Sequence, residues 1–181
     1  MSEEVKASPA VVIDDFFSKI MEEIGKITDD QVAEILKTSH QTIAAAESVT
    51  GGKLSDRLTG ISGSSEYFIG SIVSYHSRIK VAELMVPGAL IAKEGVVSDK
   101  VARAMAEGIR KRFKTDIGLS TTGCAGPLPL PPAPVGQVFI ALADGSGTEC
   151  HELRLMGTRE EIRDKASQAA LGLLWTHLGG Q

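Results

Sequence analysis

Apolar residues recur at helical spacing along Val12, Phe16, Ile20 and Ile24, which predicts a helix over 11–26 behind a polar, acidic leader, 1–9, expected to be disordered. Thr28 followed by Gln31 forms a capping box and predicts a second helix to about Lys37. The pattern then shortens. Residues 42–48 are almost continuously apolar and bounded by polar positions, as in a buried strand, and Gly51-Gly52 leads into a helix over 53–58. Phe68, Ile69, Ile72 and Val73 mark a strand over 67–75, followed by a helix over 77–84 that Pro87-Gly88 closes. Ser98 is placed to cap a helix over 99–113 with Val101, Met105 and Ile109 on one face. A short apolar strand spans 116–121. Residues 123–134 carry five prolines and are read as a loop. Two strands, 138–143 and 149–155, flank Asp144-Gly145-Ser146-Gly147 as a hairpin. Thr158 and Glu161 form a second capping box, opening a helix that runs to about His177.

Strands alternating with helices imply an α/β domain of three layers, α/β/α, and the late hairpin makes its sheet mixed. At 181 residues the chain suits one domain, taken as 10–181. Composition narrows the function more than the fold. A formal net charge of -4 argues against a broad phosphate-binding surface, and 4% aromatic residues against a stacking platform, so nucleic acid is not an expected partner. The N-terminal residues resemble neither a signal nor a transit peptide, and no apolar run spans a bilayer. A cytoplasmic protein without membrane association is expected. The two cysteines, Cys124 and Cys150, are read as small apolar side chains. Cys150 and His151 are neighbours on a strand and point to opposite faces, so no metal is assigned.

Three strand ends could carry chemistry. At the first, Glu47-Ser48-Val49-Thr50-Gly51-Gly52, a hydroxyl meets a glycine turn at a helix N-terminus, where free N–H groups favour negative charge. Ser48 is placed to act as a nucleophile with an oxyanion held by amides from Val49 to Gly51; the simpler reading is that Ser48 or Thr50 caps the helix. At the second, Tyr75 ends a strand and Lys80 lies in the first turns of the next helix. Burial and the positive helix end would lower the lysine's pKa and make it a general base, with Tyr75 as a proton relay. The simpler reading makes Tyr75 core and Lys80 solvated. At the third, Gly123-Cys124-Ala125-Gly126 could approach an anion closely or merely connect two elements.

Better-known motifs fail. Aligned on Gly52-Lys53, a Walker A loop would need glycine at Glu47 and a hydroxyl at Leu54. A nucleophile elbow would need glycine where Ala46 and Thr50 flank Ser48. No dinucleotide fingerprint follows any strand.

The combination of Glu47-Ser48-Val49-Thr50-Gly51-Gly52, Gly63-Ser64-Ser65, Tyr75, Lys80, Gly123-Cys124-Ala125-Gly126-Pro127 and Pro134-Val135-Gly136 resembles, in order and spacing, the CinA C-terminal domain family over roughly 12–178. The resemblance implies hydrolytic deamidation of nicotinamide mononucleotide to nicotinic acid mononucleotide and ammonia. It implies Ser48 as nucleophile with Tyr75 and Lys80 in support, no cofactor, a small nucleotide as partner and a homo-oligomer. Glu47, Val49, Thr50, Gly51, Gly123, Ala125 and Gly126 are the expected substrate-contacting positions, with Arg163 a further candidate for the phosphate or else a solvated helix residue. Two departures stand out: Val49 replaces the family's usual cysteine, and prolines fill the loop after Gly126, where the family is usually glycine-rich. Another small amide as substrate, or a silent ligand-binding protein, are the alternatives.

Overall fold

A computed structural model describes residues 27–180; the leader and the helix expected over 11–26 lie outside the described residues. The described chain runs α1 (Asp29–Ser39), β1 (Ile43–Glu47), α2 (Lys53–Thr59), β2 (Phe68–Val73), α3 (Ser77–Leu84), α4 (Gly88–Glu94), α5 (Asp99–Phe113), β3 (Ile117–Gly123), β4 (Gln137–Ala143), β5 (Thr148–Arg154) and α6 (Arg159–His177). Both capping boxes form. Thr28 Oγ1 accepts from Gln31 N, Thr158 Oγ1 from Glu161 N, and the Gln31 and Glu161 side chains reach back to the cap amides. α4 is absent from the sequence reading. It starts at Gly88 with Pro87 as its N-cap, a pair that reads as a terminator, and has no side-chain cap.

The strands form one mixed sheet in the order β2-β1-β3-β4-β5. β1 pairs parallel with β2 and β3; β4 pairs antiparallel with β3 and β5. Alternation along each strand sorts the core into two layers. Ile43 and Ala45 of β1, Ile117 and Leu119 of β3, and Val138, Ile140 and Leu142 of β4 meet Leu36 of α1, Leu54 and Leu58 of α2, and Ile162, Ala166 and Leu174 of α6. Ala44 and Ala46 pack against Leu84, Val101, Met105 and Ile109 on the opposite face. Phe139, Ala141 and Ala143 meet Ala102 and Ala106 on that same face. This is the three-layer α/β/α architecture. α5 lies unusually close to both neighbours: a methyl group on Gly118 would stand 2.2 Å from the Ala106 carbonyl oxygen, and one on Gly108 2.0 Å from that of Leu84.

The register decides where chemistry can occur. Glu47 aligns with Val73 of β2 and Thr121 of β3, so three strands reach the same carboxyl edge together. Carboxyl edges of parallel strands are where α/β folds bind ligands. The segments beginning at Ser48, Ser74 and Thr122 therefore converge, although they are distant in sequence. β2 is shorter than expected. Tyr67 precedes it, buried, and donates its hydroxyl to the Leu58 carbonyl at 2.9 Å. Tyr75 lies two residues beyond its end and is 64% exposed, which overturns the core reading. The proline segment is irregular, as expected, apart from an isolated bridge in which Leu130 and Ala133 exchange both backbone bonds. Among the described residues no helix is long and apolar enough to cross a membrane.

Candidate active site

The turn after β1 is built on a buried carboxylate. Glu47 is fully buried, and its Oε2 accepts from Thr50 Oγ1 at 2.7 Å, Gly52 N at 2.8 Å and Leu54 N at 3.3 Å. Its Oε1 accepts from Ser55 N at 2.9 Å and from the Ser55 hydroxyl. Gly52, the N-cap of α2, has no side chain to offer, so Glu47 satisfies the amides that begin this helix. Neither Ser48 nor Thr50 caps α2. Gly51 and Gly52 take φ of +59° and +103°, which a side chain would resist. The turn is held from outside by Arg163, whose Nη2 donates to the Thr50 carbonyl at 2.9 Å.

Lys80 completes the arrangement. It is the fourth residue of α3, is 1% exposed, and donates from Nζ to Ser48 Oγ at 2.9 Å and to the Ser74 carbonyl at 2.5 Å. Burial pushes its pKa down to about 8, because the ammonium form loses hydration. The solvated reading of Lys80 is overturned. The contact with Ser48 serves either protonation state: an ammonium donates to Oγ, and a neutral amine accepts the hydroxyl proton.

Ser48 and Lys80 open into a cavity of about 260 Å³, walled by Val49, Val96, Val97, Ala125 and Leu130, with Thr122, Gly123, Tyr75 and Arg159 completing it. Of the expected substrate-contacting residues, Val49, Gly123 and Ala125 line it. Glu47 and Thr50 do not: both are buried, and they shape the turn instead. Gly51 supplies the left-handed corner, and Gly126 faces Arg159 through its carbonyl. Arg163 is neither a lining residue nor merely solvated, since it braces the turn and pairs with Glu160 at 3.0 Å.

Tyr75 shares the cavity with the Ser48–Lys80 pair, yet its hydroxyl accepts from Arg159 Nη2 at 3.0 Å and forms a hydrogen bond with neither Ser48 nor Lys80. Lys80 reaches Ser48 directly, with Tyr75 beside the pair in the same cavity. Arg159 was missed by the sequence reading. Thr158 and Glu161 mark the helix start and place Arg159 at its first position, but the register that brings α6 to this edge is not local. Among the described residues no three of His, Cys, Asp and Glu gather as a metal-binding group.

The chain is similar to known proteins in both sequence and fold. The family described as the CinA C-terminal domain matches residues 26–178. A CinA-like protein of Syntrophomonas wolfei is 46% identical over 148 residues, covering 81% of this chain and 36% of the relative. One of Frankia casuarinae is 45% identical over 149 residues, covering 82% and 34%. The chain thus spans about a third of the length of the curated relatives it matches. Among solved structures, a CinA superfamily protein from Klebsiella pneumoniae superposes with TM-score 0.81 at 25% identity over 88% of this chain and 98% of that one. The competence/damage inducible protein CihA from Agrobacterium tumefaciens gives 0.79 at 30% over 88% and 96%. With the sequence match spanning nearly all the described residues and the fold superposing as well, the chain belongs to the CinA C-terminal domain family.

Proposed function

We propose that this chain is an amidohydrolase that converts nicotinamide mononucleotide to nicotinic acid mononucleotide and ammonia. The reaction class rests on one observation: Lys80 Nζ, buried and with a lowered pKa, stands 2.9 Å from Ser48 Oγ at the floor of a small cavity. The substrate rests on the resemblance to characterised family members.

Neutral Lys80 takes the Ser48 hydroxyl proton as Oγ bonds to the carboxamide carbon, and the carbonyl electron pair moves to oxygen. The tetrahedral carbon collapses, the C–N bond breaks, and Lys80 returns its proton to the departing nitrogen, releasing ammonia. Water then adds to the acyl carbon while giving a proton to Lys80. The C–Oγ bond breaks, and the proton returns to Ser48 as the carboxylic acid leaves. The Ser48 amide is unavailable to the oxyanion because it donates to the Thr121 carbonyl at 3.0 Å. The amide of Val49, which lines the cavity, has no acceptor among the described residues and supplies an oxyanion donor.

An ammonia-release assay tests this. Ser48→Ala should lose about 10³-fold or more of kcat, since only binding and oxyanion stabilisation survive loss of a nucleophile. Sustained release from Ser48→Ala would exclude Ser48 as nucleophile.

A further inference from the structure

We propose that Tyr75 and Arg159 form the anion-binding end of the cavity and take a phosphate monoester on the substrate, so that Tyr75 anchors substrate rather than moving the Ser48 proton. The proposal rests on the reading of this cavity as the amidohydrolase site.

The cavity is graded. Its floor is Lys80, 1% exposed, and its rim carries Tyr75, 64% exposed, and the exposed Arg159. Three basic residues on α2 and α6 are neutralised: Lys53 by Glu160 and Asp164 at 2.6 Å, Arg57 by Asp29 at 2.6 Å, Arg163 by Glu160 at 3.0 Å. Arg159 differs. Among the described residues no carboxylate pairs with it, and its partners are neutral oxygens, Gly126 O at 2.6 Å and Tyr75 Oη at 3.0 Å. Those two bonds fix the guanidinium plane while its positive charge stays uncompensated at the cavity rim. The Tyr75 oxygen accepts from Arg159, which leaves its own O–H free to donate outward. A guanidinium and a phenol hydroxyl side by side suit the several acceptor oxygens of a phosphate. The apolar walls at Val49, Val97 and Leu130 suit an uncharged ring between that anion and the Ser48–Lys80 pair.

Calorimetry separates this from the deamidase reading. Nicotinamide mononucleotide and nicotinamide riboside are titrated into Ser48→Ala, and into Ser48→Ala carrying Arg159→Gln or Tyr75→Phe. Loss of a charge-assisted contact should weaken mononucleotide binding about 30-fold for Arg159→Gln, with about fivefold for the neutral Tyr75 donor. The riboside, lacking phosphate, should shift less than threefold. In otherwise native enzyme, Tyr75→Phe should raise KM for the mononucleotide and leave the pH profile in place. Equal weakening of both ligands, no mononucleotide binding to Ser48→Ala, or a displaced pH profile in Tyr75→Phe would overturn the proposal. Arg159-dependent mononucleotide binding without ammonia release from native enzyme would uphold the anion site and reject the deamidase reading.

Discussion

At the scale of single residues, Lys80 carries the most information. A lysine with its ordinary pKa would be almost wholly protonated at neutral pH; with the pKa at about 8, about a tenth is neutral at pH 7 and most by pH 9. A rate that depends on the neutral amine rises with pH through about 8 and then levels. Lys80→Met should abolish that rise and leave a small, flat rate, read from kcat/KM between pH 6 and 10; a rising profile in the variant would remove Lys80 as base. The sequence places Lys80 near its helix start but leaves its burial undecided, because burial depends on β2 and α5 closing around it. The strand end that carries Ser48 is legible for the opposite reason: a strand, a hydroxyl and two glycines lie within a single stretch, although that stretch alone also reads as a helix cap. Arg159 is illegible because its partners, Tyr75 and the Gly126 carbonyl, come from distant segments.

Among elements, α2 and α3 set the geometry of the pair, and each depends on one unusual residue. Glu47 accepts five hydrogen bonds from the turn and from the start of α2. Glu47→Gln keeps the volume but offers one acceptor oxygen and sets an amide donor against donors. Buried groups left unsatisfied cost about 1–3 kcal/mol each, so urea unfolding should show a loss of roughly 2–4 kcal/mol, with activity falling as the turn loosens. Gly108 lets the end of α3 touch α5. Alanine would gain about 1 kcal/mol of helix propensity, but a backbone oxygen 2.0 Å away cannot yield as a side chain does. Gly108→Ala should therefore destabilise by about 1–3 kcal/mol net and lower kcat by displacing α3 and Lys80. These elements were mostly readable from period and caps. α4 was not, because a short helix that opens on Pro87-Gly88 offers neither.

For the molecule as a whole, the buried lysine links folding to pH. The folded-state pKa lies near 8 and the unfolded value near 10.5, so between these values the unfolded chain holds more protons. Native stability from this group is lowest below pH 8 and rises through pH 10.5. Between pH 8 and pH 10, native protein should gain roughly 2 kcal/mol relative to Lys80→Met, a difference in which the other titrating groups cancel; unfolding in urea at both pH values measures it. The architecture was legible as alternating strands and helices with a closing hairpin, whereas the strand order that gathers three segments at one edge needed the long-range pairing of β1 with both neighbours. That edge also shows how this chemistry can change. The bonds that shape the turn run through Glu47, Thr50, Gly52 and Ser55, and none depends on the side chains at 48 and 49. The turn is a socket indifferent to its occupant. Val49 sits in it, and Ser48→Cys should seat as readily, so the residue at 48 can be exchanged while the scaffold stays as it is.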